Sequence, residues 1–122
     1  MAPVISVVDD DRSFRRATAR LINSLGHTVE SFGSAEEFLA SGRLDETACL
    51  VSDVKMPGMT GIELQSRLRQ QGRRLPIIFI TAHPDANAKS RALASGAVGF
   101  FNKPFNDDEL ISCLDRALSS KP

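Results

Sequence analysis

Five short apolar runs alternate with five amphipathic stretches, and no other feature of this 122-residue chain narrows its fold so far. The runs are Val4–Val8, Thr28–Phe32, residues 49–52, Ile77–Thr81 and residues 97–101. The first, third and fourth are almost continuously apolar and rich in valine and isoleucine, as expected of parallel strands covered on both faces. The second is mixed, which suits an edge strand. Strand and helix in strict alternation predict an α/β fold: a (βα)5 three-layer sandwich around a parallel five-stranded sheet.

Helix punctuation falls between the runs. Phe14, Ala17, Thr18, Leu21 and Leu25 repeat at helical spacing, and Gly26 can stop that helix in a left-handed cap. Ser34 with Glu37 forms a capping-box pattern before Phe38 and Leu39, with Gly42 after it, and Thr60 with Glu63 repeats the device before Leu64 and Leu68, with Gly72 as the stop. Pro84 suits the first turn of a helix ending at Gly96. Asn106 followed by Asp107, Asp108 and Glu109 places acids at the positive end of a last helix, whose buried stripe is Leu110, Leu114, Ala117 and Leu118.

The length suits one domain, residues 1–122, without linkers or repeats. Fifteen basic side chains balance fifteen acidic ones, so no overall basic field argues for direct nucleic-acid binding. Arg67, Arg69, Arg73 and Arg74 read as a solvated helix end complementing its dipole. No segment is long and apolar enough to span a bilayer, and the start of the chain lacks the basic segment of a signal peptide. Cys49 and Cys113 sit in apolar patterns, read as buried reduced thiols in a cytoplasmic protein. His27 and His83 lack metal-ligand spacing.

The chemistry lies at strand ends. Asp9, Asp10 and Asp11 follow the first run, Asp53 follows the third, Thr81 ends the fourth and Lys103 follows the fifth. In a doubly wound sheet, ligands bind at the carboxyl edge beside the point where strand order reverses. With the order 2-1-3-4-5, that point lies between the strands ending in Asp9-Asp10 and Asp53. A carboxylate-lined oxygen pocket suits Mg2+. Lys103 adds an ammonium and Thr81 a hydroxyl, so Asp53 is the candidate nucleophile for a phosphoryl group stabilised by charge on both sides.

With these residues in place, the chain resembles the receiver domain of two-component response regulators over essentially its whole length. The motifs are Val8-Asp9-Asp10-Asp11, Ser52-Asp53-Val54-Lys55-Met56-Pro57-Gly58, Ile80-Thr81-Ala82-His83 and Phe100-Phe101-Asn102-Lys103-Pro104-Phe105. Ser34-Ala35-Glu36-Glu37-Phe38-Leu39 and the Ala82-His83 pair look closest to the FixJ-type regulators. The resemblance implies a flavodoxin-like fold and a phosphorylation-activated switch rather than a turnover enzyme, one that catalyses its own phosphorylation and dephosphorylation. Asp53 would accept phosphoryl from a sensor histidine kinase. Asp10 and Asp53 would bind Mg2+ with the backbone carbonyl of Lys55, and Asp9 would help through water. Lys103 would pair with the phosphoryl group, Thr81 would shift towards it, and Phe100 would turn inward as the switch aromatic. The Lys103-Pro104 bond is expected cis, the kinase is expected on helix 1 around Phe14 and Arg15, and output is expected through helix 4, strand 5 and helix 5. Lys55 and His83, each two residues past a motif residue, are expected to set the lifetime of the acyl-phosphate.

Other readings remain open on the sequence. Asp9-Asp10 could be an acidic cap on helix 1, and Phe100 a plain core aromatic. A phosphatase of the haloacid-dehalogenase type would use Asp9 as nucleophile and Asp11 as acid, although no cap domain or later acidic pair is present. A pseudo-receiver would only bind partners. The chain is either a stand-alone regulator or part of a longer one; FixJ-type relatives favour a following DNA-binding domain and control of transcription. A homodimer through helix 4 and strand 5 would use Arg91, Ser95 and Val98 as exposed contacts.

Overall fold

The computed structural model describes residues 3–83 and 85–119. It alternates β1 (Val4–Val8), α1 (Arg12–Ser24), β2 (Thr28–Phe32), α2 (Ala35–Ala40), β3 (Thr47–Ser52), α3 (Gly61–Gln70), β4 (Ile77–Thr81), α4 (Ala86–Ala94), β5 (Gly99–Asn102) and α5 (Asp107–Ser119). All pairings are parallel and the strand order is β2-β1-β3-β4-β5, as expected. Side chains alternate across each strand, so the sheet feeds two cores. Ile5, Val7, Cys49, Val51, Ile78 and Ile80 meet α1 and α5 on one face. Val8, Leu50, Ile77 and Phe79 meet α2, α3 and α4 on the other.

Two strand boundaries differ from the sequence reading, each because of a hydrogen bond. β3 begins two residues earlier, at Thr47. Thr47 is polar and so broke the apolar pattern, yet it is buried because its Oγ1 lies 2.7 Å from Ser6 Oγ and donates to the Arg43 carbonyl. β5 begins at Gly99 rather than at residue 97. The Ala97 N–H closes α4 by donating to the Ala92 carbonyl, and is therefore withheld from the sheet. The start of α4 is capped by Asp85, whose carboxylate accepts from the N–H groups of Asn87 and Ala88; the expectation for Pro84 lies outside the described residues.

The helical spacing read along α1 also needs correction. Thr18 and Ile22 are the buried residues of that helix, with Phe14 and Leu21 packed beside them, while Ala17 and Leu25 are exposed. Phe14, Thr18 and Leu21 thus keep the expected face, while Ile22 takes the buried place that an apolar letter count assigns as readily to Ala17 or Leu25. The capping box at Thr60 and Glu63 forms in both directions. At α2 Ser34 Oγ accepts from the Glu37 N–H. In α5 Leu110, Leu114 and Ala117 are buried, Leu118 is half-buried, and Cys113 joins them. Both cysteines are buried, outside any disulfide, and burial pushes the Cys113 thiol upward. Arg67 and Arg69 occupy the last turn of α3, as read, and Arg73 pairs with Asp45. Among the described residues, no helix is long and apolar enough to cross a membrane.

Candidate functional site

The ends of β1, β3 and β5 bring Asp9, Asp53 and Lys103 into direct contact. Lys103 Nζ lies 3.0 Å from Asp9 Oδ2 and 3.1 Å from Asp53 Oδ2, with the lysine side chain 11% exposed. Asp9, Asp10 and Asp53 each offer a carboxylate oxygen within 4.8 Å of the others. Asp9 and Asp53 are buried and Asp10 is exposed. The cluster sits where strand order reverses, between β1 and β3.

The third acid of the run accounts for the capping alternative. Asp11 is the N-cap of α1, accepting from the Phe14 N–H, so Asp9 and Asp10 are not needed there. Asp9 is pinned from several sides. Its Oδ1 accepts from the Asp11 N–H at 2.9 Å, and Arg15 donates to its backbone carbonyl at 2.7 Å. Asp53 Oδ1 accepts from the Val54 N–H at 2.7 Å. Thr81 is buried, its Oγ1 accepts from the His83 N–H, and its carbonyl accepts from the Lys103 N–H at 2.7 Å. Thr81 and Lys103 are thus coupled through the backbone of neighbouring strands. The Lys103-Pro104 bond is cis, as expected.

Lys55 and His83 are exposed, and Phe100 is half-buried with its ring 6.1 Å from that of Phe79. Of the suggested dimer contacts, Arg91 is exposed, but Ser95 is half-buried and Val98 packs against the core. That exposure expectation is therefore corrected for Ser95 and Val98: residue 98 follows directly on the close of α4 and is drawn inward as its N–H bonds the Ile77 carbonyl.

Burial pushes the Asp9 carboxyl up to about 6, against the lowering effects of the Asp11 N–H and Lys103, and the nearby Asp53 charge adds to the rise. Lys103 is partly desolvated, which works against its charge, yet its bonds to Asp9 and Asp53 outweigh this and raise it. A raised folded-state acid contributes stability that is fully present below its unfolded value of 3.8 and is lost as pH rises through about 6. Asp9→Asn is therefore expected to gain on the wild type in Mg2+-free buffer at about pH 7.5, and to lose that advantage near pH 5. Urea midpoints at both values measure it, and an advantage independent of pH would contradict the assignment.

Three features escaped the sequence reading. Gly61 carries no signal of its own in the sequence, yet an added Cβ would stand 2.2 Å from the Asp53 carbonyl. Phe14 was read as part of a helix stripe, yet Lys103 Nζ lies 4.2 Å from its ring centroid. Glu36, on α2, accepts from the Met59 N–H at 2.9 Å and so ties α2 to the β3–α3 loop. That bond lowers the Glu36 carboxyl. The adjoining Ser34–Glu37 pattern drew attention to capping, and nothing local pointed across to residue 59. Glu36→Ala is expected to speed hydrogen exchange at the Met59 amide several-fold while leaving β1 amides unchanged; equal exchange would show that the loop holds itself.

The geometry is that of an acid-lined signalling receiver: a 2-1-3-4-5 parallel sheet with its lysine drawn between two aspartates at the switch point. The chain belongs to the response regulator receiver domain family, whose model matches residues 5–115. It is 40% identical over 121 residues to the response regulator protein TodT of Pseudomonas putida, covering 99% of this chain and 53% of that protein. It is 45% identical over 111 residues to nodulation protein W of Bradyrhizobium diazoefficiens, covering 91% and 49%. The transcriptional regulatory protein FixJ of the same organism is 40% identical over 114 residues, covering 93% and 56%. The crystal structure of FixJ-N superposes with a TM-score of 0.88 at 33% identity, covering all of this chain and 98% of that one. The chemotaxis protein CheY4 of Vibrio cholerae gives 0.86 at 32% identity, with 97% and 100% covered. The chain spans about half the length of the curated relatives it matches. It is a signal-transduction module of the two-component type, and the FixJ likeness agrees with the sequence reading.

Proposed function

We propose that Asp53 accepts a phosphoryl group from the phosphohistidine of a sensor kinase and that this switches the α4-β5-α5 face. The observation that carries the reading is the Lys103 ammonium shared between Asp9 and Asp53, 3.0 and 3.1 Å away. A carboxylate oxygen of Asp53 attacks phosphorus, the P–N bond breaks, and the imidazole leaves and takes up a proton. Lys103 already stands where charge builds on the transferring oxygens. Thr81 presents a hydroxyl on the next strand, and its backbone bond to Lys103 ties its movement to the lysine's. Phe100, half-buried beside Phe79, can turn further inward as Thr81 shifts. Exposed Lys55 and His83 flank the approach of hydrolytic water and set the acyl-phosphate lifetime.

The donor set fits a hard divalent cation, since three carboxylates converge within 4.8 Å and no nitrogen or sulfur ligand is among them. Asp10, Asp53 and the Lys55 carbonyl would hold Mg2+, with Asp9 acting through water. The ion would neutralise charge on the phosphoryl oxygens.

Like the relatives named as transcriptional regulators, the whole protein would control transcription in the cytoplasm through a part outside residues 1–122, which would form one domain of it. The kinase would dock on α1 around Phe14 and Arg15, and phosphorylation would permit a homodimer through α4 and β5. A population shift from mostly off to mostly on needs about 5.5 kcal/mol of differential stabilisation, within reach of a new dianion paired with a metal and a lysine.

The test is chemical mapping. The protein is treated with acetyl phosphate and Mg2+, reduced with borohydride and digested. Label on Asp53 is expected. Label on Asp9 would favour the dehalogenase-type phosphatase; no label, with no Mg2+ binding, would favour a partner-binding pseudo-receiver. The buried, doubly anchored Asp9 argues against the first of these.

A further inference from the structure

The Lys103 ammonium has a third neighbour besides its two carboxylates. Its Nζ lies 4.2 Å from the centroid of the Phe14 ring. That ring is itself held: its centroid lies 5.6 Å from that of Phe105, the two rings standing nearly perpendicular at 83°. Phe14 and Phe105 both pack against the core formed by α1, α5 and the sheet. Asp11 bonds the Phe14 N–H and Arg15 bonds the Asp9 carbonyl, so the first turn of α1 is fixed relative to β1.

We propose that Phe14 is a positioning residue for phosphoryl transfer, its ring face seating the Lys103 ammonium between Asp9 and Asp53. This rests on the reading of Asp53 as phosphoryl acceptor. A lysine side chain has four rotors, and ordering them costs free energy. Two carboxylates fix the ammonium on one side while it pairs with them. When Asp53 becomes an acyl-phosphate, one of those partners changes. The ring persists through that change and excludes water from the remaining side, while its negative π face attracts the cation. Phe105 lies two residues beyond Lys103, so the loop that delivers the cation also delivers the group that holds the seat. A plain core aromatic would contribute volume alone, which separates the two roles experimentally.

The test uses acetyl phosphate as donor, so that kinase docking on α1 plays no part. Mono-, di- and trifluorophenylalanine at position 14 keep the ring's shape while weakening its quadrupole. The rate of Asp53 phosphorylation is expected to fall stepwise with fluorination, by roughly 2- to 30-fold across the series, with unchanged melting temperature. F14L should lie at the slow end and F14W should retain the rate. In the unphosphorylated protein, the Lys103 ammonium protons should carry an upfield ring-current shift that F14L removes. A rate indifferent to fluorination, or the absence of that shift, overturns the seat while leaving Asp53 as acceptor intact. A wild-type protein that takes no phosphoryl group overturns both.

Discussion

Exchanging Lys103 for methionine is expected to cost about 3 kcal/mol of stability in Mg2+-free buffer at about pH 7.5, with most of the loss recovered near pH 5. The reason is the company Lys103 keeps. Its Nζ is within 3.1 Å of oxygens from two carboxylates whose own side chains are only 5% and 7% exposed. Methionine preserves length and apolar contact but leaves two nearly dry anions facing each other. Coulomb repulsion at low effective dielectric then has no counterweight. The cheapest remedy is a proton on one acid. Asp9, already raised to about 6 with the lysine present, is the group that takes it. Its folded-state value moves higher still in the variant, so the loss grows as pH rises and fades as pH falls. Millimolar Mg2+ should restore stability at the higher pH, because a divalent cation replaces the missing charge and binds the folded state alone. Urea denaturation at both pH values, with and without Mg2+, reads all of this. A methionine variant as stable as wild type at about pH 7.5 would mean that the ammonium is not what reconciles these acids.

Gly61→Ala is expected to destabilise by about 3 kcal/mol and to slow phosphorylation as well. The new methyl would lie 2.2 Å from the Asp53 carbonyl and 3.1 Å from Phe79 Cε1. Neither neighbour can yield cheaply. The Asp53 carbonyl is backbone and also accepts from Ser52 Oγ at 2.8 Å, while the Gly61 N–H is bonded to the Val54 carbonyl at 2.8 Å. Relief requires α3 to withdraw from β3, which moves Asp53, the proposed phosphoryl acceptor. Gly72→Ala is the control. Its φ of +77° makes alanine unfavourable, but nothing lies within 4 Å of an added Cβ, so it should cost only about 1 kcal/mol and leave phosphorylation unchanged. Denaturant midpoints and acetyl-phosphate labelling compare the two variants. Equal penalties, or full labelling of Gly61→Ala, would show that the backbone beside Asp53 relaxes freely.

The elements that were legible were those whose cause is local. A continuous valine-isoleucine run can only be buried from both sides, and Gly26, Gly42, Gly72 and Gly96 mark left-handed stops that all occur at positive φ. The β5 boundary moved because the Ala97 N–H is used to close α4, and the β3 boundary because a long-range bond overrode the letters. Thr47 joins β3 because Ser6, 41 residues away, satisfies its hydroxyl. Val98, expected at the surface, is drawn inward by its bond to Ile77. The site was legible as a set of strand ends, because topology alone delivers them to one edge.

From the amino-acid order follow the alternation of elements, the strand order within a small set, and the residue types gathered at the carboxyl edge; periodicity and crossover handedness suffice for these. Only the folded molecule decided how the three acids divide their work. Asp11 caps a helix, Asp9 is buried against Lys103, and Asp10 stays exposed beside them. The same holds for the aromatic ring beneath the ammonium and the glycine against the Asp53 carbonyl. Adjacent aspartates are chemically identical, and Lys103 meets Asp53 across 50 residues of chain. Burial and partner are properties of such distant contacts, and no local pattern encodes them.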